Sequence, residues 1–581
     1  MTDAELHDEA PPRSWAGPAR MAAGLAQGVV LYLLMEAAKQ KLWPSTAPML
    51  NAALWAVAVY TPLVKIEGMA RLRLWTLSVW ATAATAGVAG LAVYSLWREA
   101  GAGANLSSVA GLPSLPMIAG AGAALFILNA LIAGGDADRR LVARYNTLFD
   151  IAWKQGLQLV LAGAFVGVFW VILFIGAALF KLVHIEALQQ LLEKTWFHVP
   201  ATFVAYAAAL HLTDVRHSLI RGGRTLVLGL LSWLTPLLTA LIIAFLATLP
   251  FTGLKPLWDT HHAAGLMFTA AVGLIFLINT IYQNGAADRP LVLRATVRAG
   301  ALAVAPLAII AGHAMWLRID QYGFTSERVI AAALALIVVA YATAYAVCAL
   351  KPKPWMAFMA PTNIGLSVFS VAVILALLTP VADPAKLGVA DQLHRLASGR
   401  TPVDKFDFLA LKFKEARYGR EALKGLAAKP GPVGDKAKAA MAATGYVQPN
   451  NAAPTADKPV VALQSLKGAP VPVFADDDWH LSDCRANAPC DGVWLTLRNA
   501  KSPQLLVVHA QQLRADLMAP EDDGKWRVAG SFTLCAGDRE ALLAGKAVVA
   551  PPAGPGDLVF GDRRAAFEPF RTLNCKALKR K

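Results

Sequence analysis

The stretch "LINTIYQNGAADRPLVLR", Leu277–Arg294, leaves a long apolar run and ends in a basic turn; "ILNALIAGGDADRRLVAR", Ile127–Arg144, does the same 150 residues earlier. Both read N-x5-G-x-A-D-R-x-L-V-x-R. The first copy supplies Asn129, Gly135, Ala137, Asp138, Arg139, Leu141, Val142 and Arg144; the second supplies Asn279, Gly285, Ala287, Asp288, Arg289, Leu291, Val292 and Arg294. The glycines can close a helix in a left-handed turn. Asp138 and Asp288 suit the N-cap of the next helix, and Pro290 falls where a first turn tolerates proline. Asn129 and Asn279 remain, about one and a half turns inside the span end. Two roles fit them: hydrogen-bonded glue between helices, or a polar path between two repeats.

Membrane helices explain what lies on either side of the motif. The 581 residues are 56% hydrophobic and 16% charged, with a mean hydropathy of +0.47, where a soluble chain carries roughly 25% charged residues. A bilayer core needs about 20 apolar residues of helix. Eleven runs meet that need: 21–38, 45–64, 74–97, 112–134, 156–180, 196–212, 225–250, 263–284, 299–317, 329–350 and 362–381. The first, with Gln27 and Glu36, and the sixth, with His198 and Pro200, are the weakest. The expected fold is therefore an all-α polytopic membrane bundle of about eleven helices, 21–382, behind a tail of residues 1–20. Both motif copies cross in one direction, which predicts a parallel repeat, 112–250 with 263–381.

Charge sets the expected orientation. Links after even-numbered runs hold fifteen Lys or Arg, among them Arg71, Arg139, Arg144, Lys154 and Arg289; links after odd-numbered runs hold eight. Basic loops stay cytoplasmic, so the N-terminus is expected inside and the C-terminal region in the periplasm. The net charge of +15 is thereby used up, and nucleic acid is excluded as a partner.

After residue 382 the composition changes. Residues 383–446 are amphipathic and helical, 447–470 form a linker, and 471–581 turn strand-like in "GVWLTLR", "QLLVVHA", "WRVAGSFTL", "KAVVAPP" and "DLVFG". This predicts a small α+β, β-rich exported domain. Four cysteines fall in it, Cys484, Cys490, Cys535 and Cys575, and an even number in an exported part predicts disulfides. The favoured pairing is Cys484–Cys490 with Cys535–Cys575. Zinc is the rival, although the spacing matches no familiar zinc pattern. Cys348, inside the tenth run, is expected to be an inert core thiol.

The chain carries no HExxH, no Walker-type phosphate loop and no CxxC, so no cofactor and no catalytic residue is assigned. His211, Asp214 and His217 lie at the end of the sixth run, where a solvated boundary is expected; His261 and His262 are expected to be exposed. His313 lies within the ninth run, and an ionisable group there is a functional candidate by default.

The stretch "WLRIDQYGFTSERV", Trp316–Val329, with Asp383-Pro384, Gln392, Arg395-Leu396, Gly399 and Arg417-Tyr418-Gly419 after it, resembles a family of bacterial polytopic membrane proteins catalogued as a domain of unknown function. The pattern is Arg318, Gln321, Tyr322, Gly323, Thr325, Glu327 and Arg328, and "NTIYQNG" of the second repeat fits as well. The resemblance covers roughly residues 120 to 425 and implies an inner-membrane protein. It carries no activity, so it transfers no catalytic residue. Physically the link is a turn: Gly323 can end the ninth helix and Thr325 or Ser326 can cap the tenth. Alternatively Arg318, Asp320, Gln321, Glu327 and Arg328 form a polar cluster that docks the exported region or a ligand. Three function classes follow: a non-catalytic envelope scaffold or sensor with a protein partner, a solute or lipid transporter at the repeat interface, and, least supported, a membrane enzyme.

Overall fold

The structure, a computed structural model, describes residues 15–99, 113–215, 217–254, 263–283, 285, 289–351, 355–443 and 446; in the C-terminal part it describes 461–463, 481, 484, 490–495, 504–509, 514–520, 526–534, 538–544, 558–560 and 563–565. The chain divides into two compact units, Met1–Tyr446 and Val447–Lys581.

The first unit is helical. Its long helices are α1 Ala16–Gln40, α2 Pro48–Gly68, α3 Leu74–Glu99, α4 Leu115–Asp138 and α5 Tyr145–Leu182. After the short α6 Ala187–Glu193 come α7 Thr195–Val215, α8 His217–Thr252, α9 Ala263–Tyr282, α10 Leu291–Tyr322, α11 Ser326–Leu350 and α12 Met359–Leu377. Among the described residues ten of these are long and apolar enough to cross a membrane. Lipid offers backbone groups no partner, so helices are the expected solution, and the chain is a multispanning membrane protein.

The long helix left out of the ten is α7, one of the two weakest of the expected runs; the other, α1, is among the ten. Its length is sufficient, but His198, Pro200, His211 and Asp214 lower its apolar character. Its packing still puts it in the bundle. Gly17 lies against His211, Gly24 against Phe203 and Gly28 against Pro200, so α7 runs antiparallel along α1. A Cβ on Gly24 would stand 2.6 Å from the Phe203 carbonyl oxygen. Small residues allow this close approach, the usual basis of helix pairing in lipid.

The helix ends follow local chemistry, with some departures from expectation. Gly135 does not end α4; it stays helical, and Arg139 takes the left-handed conformation at φ 53°. In the second copy Gly285 does adopt φ 80°. Asp138 serves α5 from outside it, accepting the Arg144 backbone N–H at 2.7 Å and the Thr147 hydroxyl at 3.0 Å, while Arg144 holds the N-cap position. Pro290 is the N-cap of α10 and lies just before its first turn. Asp288 lies outside the described residues. Gly323, at φ 77°, ends α10, and the Thr325 hydroxyl accepts the Arg328 N–H to start α11.

The hydrophobic core of the bundle is divided. Buried residues of α9, α10 and α11 form its largest part, with Leu274, Ile278, Val304, Leu307 and Tyr345 at its centre. A second part joins α2, α3 and α4 through Ala52, Ala56, Val88 and Met117. Residues 384–442 add four shorter helices: α13 Pro384–Ala397, α14 Phe408–Phe413, α15 Ala416–Ala427 and α16 Pro432–Ala442. They enclose a small core of their own around Phe406, Phe408, Leu411 and Leu423. We call this group the cap.

The second unit is β-rich. Strands β1 Val461–Leu463, β2 Cys490–Leu495, β3 Gln504–Val508, β4 Arg514–Pro520 and β5 Trp526–Thr533 form one sheet in that order. β1 runs parallel to β2 and the other pairs are antiparallel. The short helix α17 Asp538–Leu543 and the pair β6 Leu558–Phe560 and β7 Arg563–Ala565 follow. β4 was not among the expected strands: "RADLMAP" alternates polar and apolar residues only loosely. The "KAVVAPP" stretch, His261, His262, Cys535 and Cys575 lie outside the described residues. Cys484 and Cys490 form a disulfide and Cys348 is a buried free thiol.

Candidate functional site

Two polar assemblies stand at opposite ends of the bundle. The first lies where α1 begins and α2, α4 and α7 end. Asp214, 3% exposed, accepts from Arg20 at 2.6 Å and from Arg71 at 3.1 Å, with the Lys154 ammonium 3.7 Å away. Gln158 donates to the same carboxylate at 2.8 Å and accepts from Arg71. Arg20, 1% exposed, also donates to the Ile66 carbonyl at 2.7 Å. Glu67 sits beside them in the last turn of α2. Three cations and two carboxylates thus meet on α1, α2, α5, α7 and the α2–α3 link. Arg20 Nη1, Glu67 Oε1 and Arg71 Nε are buried without a hydrogen-bond partner among the described residues.

This corrects the expectation that Asp214 lies at a solvated boundary: it is buried and paired. Desolvating one carboxylate is costly unless it is paired, and breaking such a pair costs about 3–5 kcal/mol. Residues spread over five separate elements leave no local spacing to read. The one available signal is that Arg20, Glu67, Lys154 and Asp214 all occur within a turn or two of a span end. His211 packs against Gly17; the side chain of His217 lies outside the described residues.

α5 links this cluster to the rest. It has 38 residues, about 57 Å at 1.5 Å per residue, well beyond a 30 Å bilayer core. Its first third carries the polar groups. Gln155 bonds Asn129, which also accepts from the Trp80 indole at 3.0 Å. Tyr145 accepts from Asn363 at 2.9 Å. Asn363 also donates to Asn279 at 2.8 Å, and Asn279 donates to the Tyr345 hydroxyl at 2.6 Å. Asn129 therefore ties α3, α4 and α5, whereas Asn279 ties α5, α9, α11 and α12. Both asparagines make hydrogen bonds between helices. Their partners differ, so the two repeat copies are not used equivalently.

The second assembly, at the opposite end, joins the bundle to the cap. Gln392 donates to the carbonyls of Tyr322 at 3.1 Å and Phe324 at 2.8 Å. Arg395 donates to those of Ile319 at 3.0 Å and Asp320 at 2.9 Å. Asp391 accepts the Phe324 N–H at 2.8 Å, and Glu415 accepts both the N–H and the hydroxyl of Ser326. Asp383, fully buried, caps α13 through the N–H groups of Ala385 and Lys386, and accepts from Tyr94 at 2.8 Å. Tyr94 meets the Tyr418 hydroxyl at 3.2 Å, and Arg417 stacks over Trp97 at 4.5 Å. Burial pushes the Glu415 carboxyl above its ordinary range, with the Ser326 bonds pulling it partly back.

The residues singled out in the link divide. Tyr322 contributes its carbonyl while its ring lies 5.4 Å from the Arg328 guanidinium. Arg328 folds back to the Gly323 carbonyl at 2.9 Å. Arg318, Gln321 and Glu327 are exposed, and Glu327 stands in the first turn of α11, where a carboxylate complements the helix dipole. His313 is exposed on the outside of α10. The docking residues that matter most, Asp391, Gln392, Arg395 and Glu415, come from the cap side of the joint.

A family model described as Domain of unknown function (DUF4153) matches residues 49–418. Neither a curated protein nor a solved structure matches the chain.

Proposed function

Because the chain belongs to the family Domain of unknown function (DUF4153), a description that names no activity, we propose from its own geometry that it is a non-catalytic envelope scaffold or sensor. The bundle and cap would act as a platform that presents the unit Val447–Lys581 to a protein partner. The observation that carries this reading is the joint at Gly323. Four cap side chains, Asp391, Gln392, Arg395 and Glu415, are spent on backbone and hydroxyl groups of one link and hold the platform together. The matched span also supports it, since it runs from α2 to Tyr418 and stops short of the second unit. With eleven crossings and the excess of basic residues in alternate links, the N-terminus is cytoplasmic and the second unit periplasmic, in the inner membrane.

The test is co-purification from native membranes with the full chain and with a chain ended after Tyr446. A partner recovered by the full chain and lost on truncation is expected. Recovery of the same partners by both contradicts the reading.

The buried group around Asp214 favours a second reading, ion-coupled transport, because intramembrane ionisable groups often mark ion pathways. Proteoliposomes holding a pH gradient discriminate. Faster dissipation than in empty vesicles favours transport, and an unchanged rate removes it.

A further inference from the structure

We propose that Cys484, Cys490 and His509 form a divalent-metal site of the zinc type in the reduced protein, and that the Cys484–Cys490 disulfide is the oxidised, metal-free state of that site. The strand register brings the groups together. β2 pairs with β3 so that Asp491 faces Val508, and one further step sets Cys490 opposite His509. β3 pairs with β4 so that Val507 faces Asp516, and the His509 N–H closes the turn onto the Arg514 carbonyl at 3.2 Å. All four side chains are buried: Cys484 and Cys490 are 1% exposed, His509 2% and Asp516 0%. They share that interior with Leu481, Leu505, Val507 and Met518.

A disulfide needs no imidazole beside it, and an imidazole and a carboxylate are costly guests in such a core. Their geometry is that of a metal ligand and its support. His509 Nδ1 lies 3.8 Å from Cys490 Sγ, and the three donor atoms lie within 4.8 Å of one another. His509 Nε2 meets Asp516 Oδ2 at 3.0 Å, and Arg514 holds the other oxygen at 2.7 Å. Asp516 thus accepts the Nε2 proton and leaves the Nδ1 lone pair facing the sulfurs, the arrangement by which a carboxylate orients a ligating histidine. Zn–S near 2.3 Å and Zn–N near 2.0–2.1 Å in a tetrahedron separate sulfur from nitrogen by about 3.6 Å, close to the distance found. On reduction the two sulfurs must part to about 3.8 Å to share the metal. A water would complete the fourth position.

The chemistry balances with a dithiol as reductant. The dithiol gives two electrons and two protons, its own sulfurs close to a disulfide, and the Cys484–Cys490 bond opens to two thiols. The metal ion then displaces both thiol protons as the two thiolates bind. Which state prevails depends on the redox poise of the compartment that the unit faces.

The experiment uses the full-length protein in detergent, oxidised or reduced with a dithiol that is then removed, and titrated with Co2+ as a spectroscopic stand-in for zinc. The reduced protein is expected to show a thiolate-to-cobalt charge-transfer band that the oxidised protein lacks, and Zn2+ should displace the cobalt. Cys484→Ser with Cys490→Ser should abolish the band. Asp516→Asn should weaken binding at least tenfold while leaving both thiols present. Absence of the band in the reduced protein overturns the proposal. So does a band that survives in the double serine variant, or an affinity unchanged in both His509→Asn and Asp516→Asn.

Discussion

Arg20 and Asp214 stand 194 positions apart in the chain and 2.6 Å apart in the fold, with side chains 1% and 4% exposed. Asp214 is the shared counter-ion of Arg20, Arg71 and Lys154. Asp214→Asn removes the carboxylate that Arg20, Arg71 and Lys154 share and puts a neutral amide in its place. A loss of about 3–5 kcal/mol is expected, read as a lower thermal midpoint in detergent. An unchanged midpoint would mean that the cluster is solvated.

At Gly323 two effects act at once. Its φ is 77°, and an added Cβ would meet Gln392 Nε2 at 2.5 Å and Arg395 Nε at 2.6 Å. Gly399 has a similar φ of 72° with nothing within 4 Å. Gly399→Ala should therefore cost only backbone strain, about 1 kcal/mol. Gly323→Ala should cost more and should also loosen the cap, so that protease cuts α13–α16 sooner. Equal effects at the two glycines would show that the joint has no part in it.

Glu415 gives the joint a pH dependence. An unfolded glutamate titrates near about 4.3, and burial holds the folded carboxyl above that. Between the two values the folded state binds more protons. Stability of the cap should then fall as pH rises through that window and level off above it. Glu415→Gln should flatten the profile and cost little at neutral pH. A wild-type profile that rises through the same window would contradict this sign.

Asn279 bonds Tyr345 and Asn363 within the spans. Interhelical bonds in membranes are worth about 0.6–2 kcal/mol each. Asn279→Ala should lower the thermal midpoint modestly, with insertion unchanged. A chain that no longer inserts would show a role larger than glue.

Much of this architecture was legible in the sequence because lipid imposes long apolar helices, and each span appears as a local run. The link 316–329 was legible as a turn, since Gly323 and Thr325 are the residue types that a helix end and a cap require. The cluster at Asp214 was not. Arg20, Arg71, Lys154 and Asp214 each look like an ordinary boundary charge, and only packing reveals that they converge. His211, Asp214 and His217 share one run's end, whereas the ionic partners of Asp214 lie on α1, the α2–α3 link and α5. Gly135 stays helical, and α4 runs on to Asp138 before Arg139 takes the left-handed turn and donates its N–H to the Gly135 carbonyl.

The cap α13–α16 and the link Tyr322–Ser326 fold as one body. Hydrogen–deuterium exchange on the full-length protein tests it, comparing the wild type with Gly323→Val. The expected result is slow exchange across residues 384–427 in the wild type and faster exchange there in the variant, with α9 and α10 unchanged. Fast exchange across the cap in the wild type, or no difference in the variant, would contradict the account.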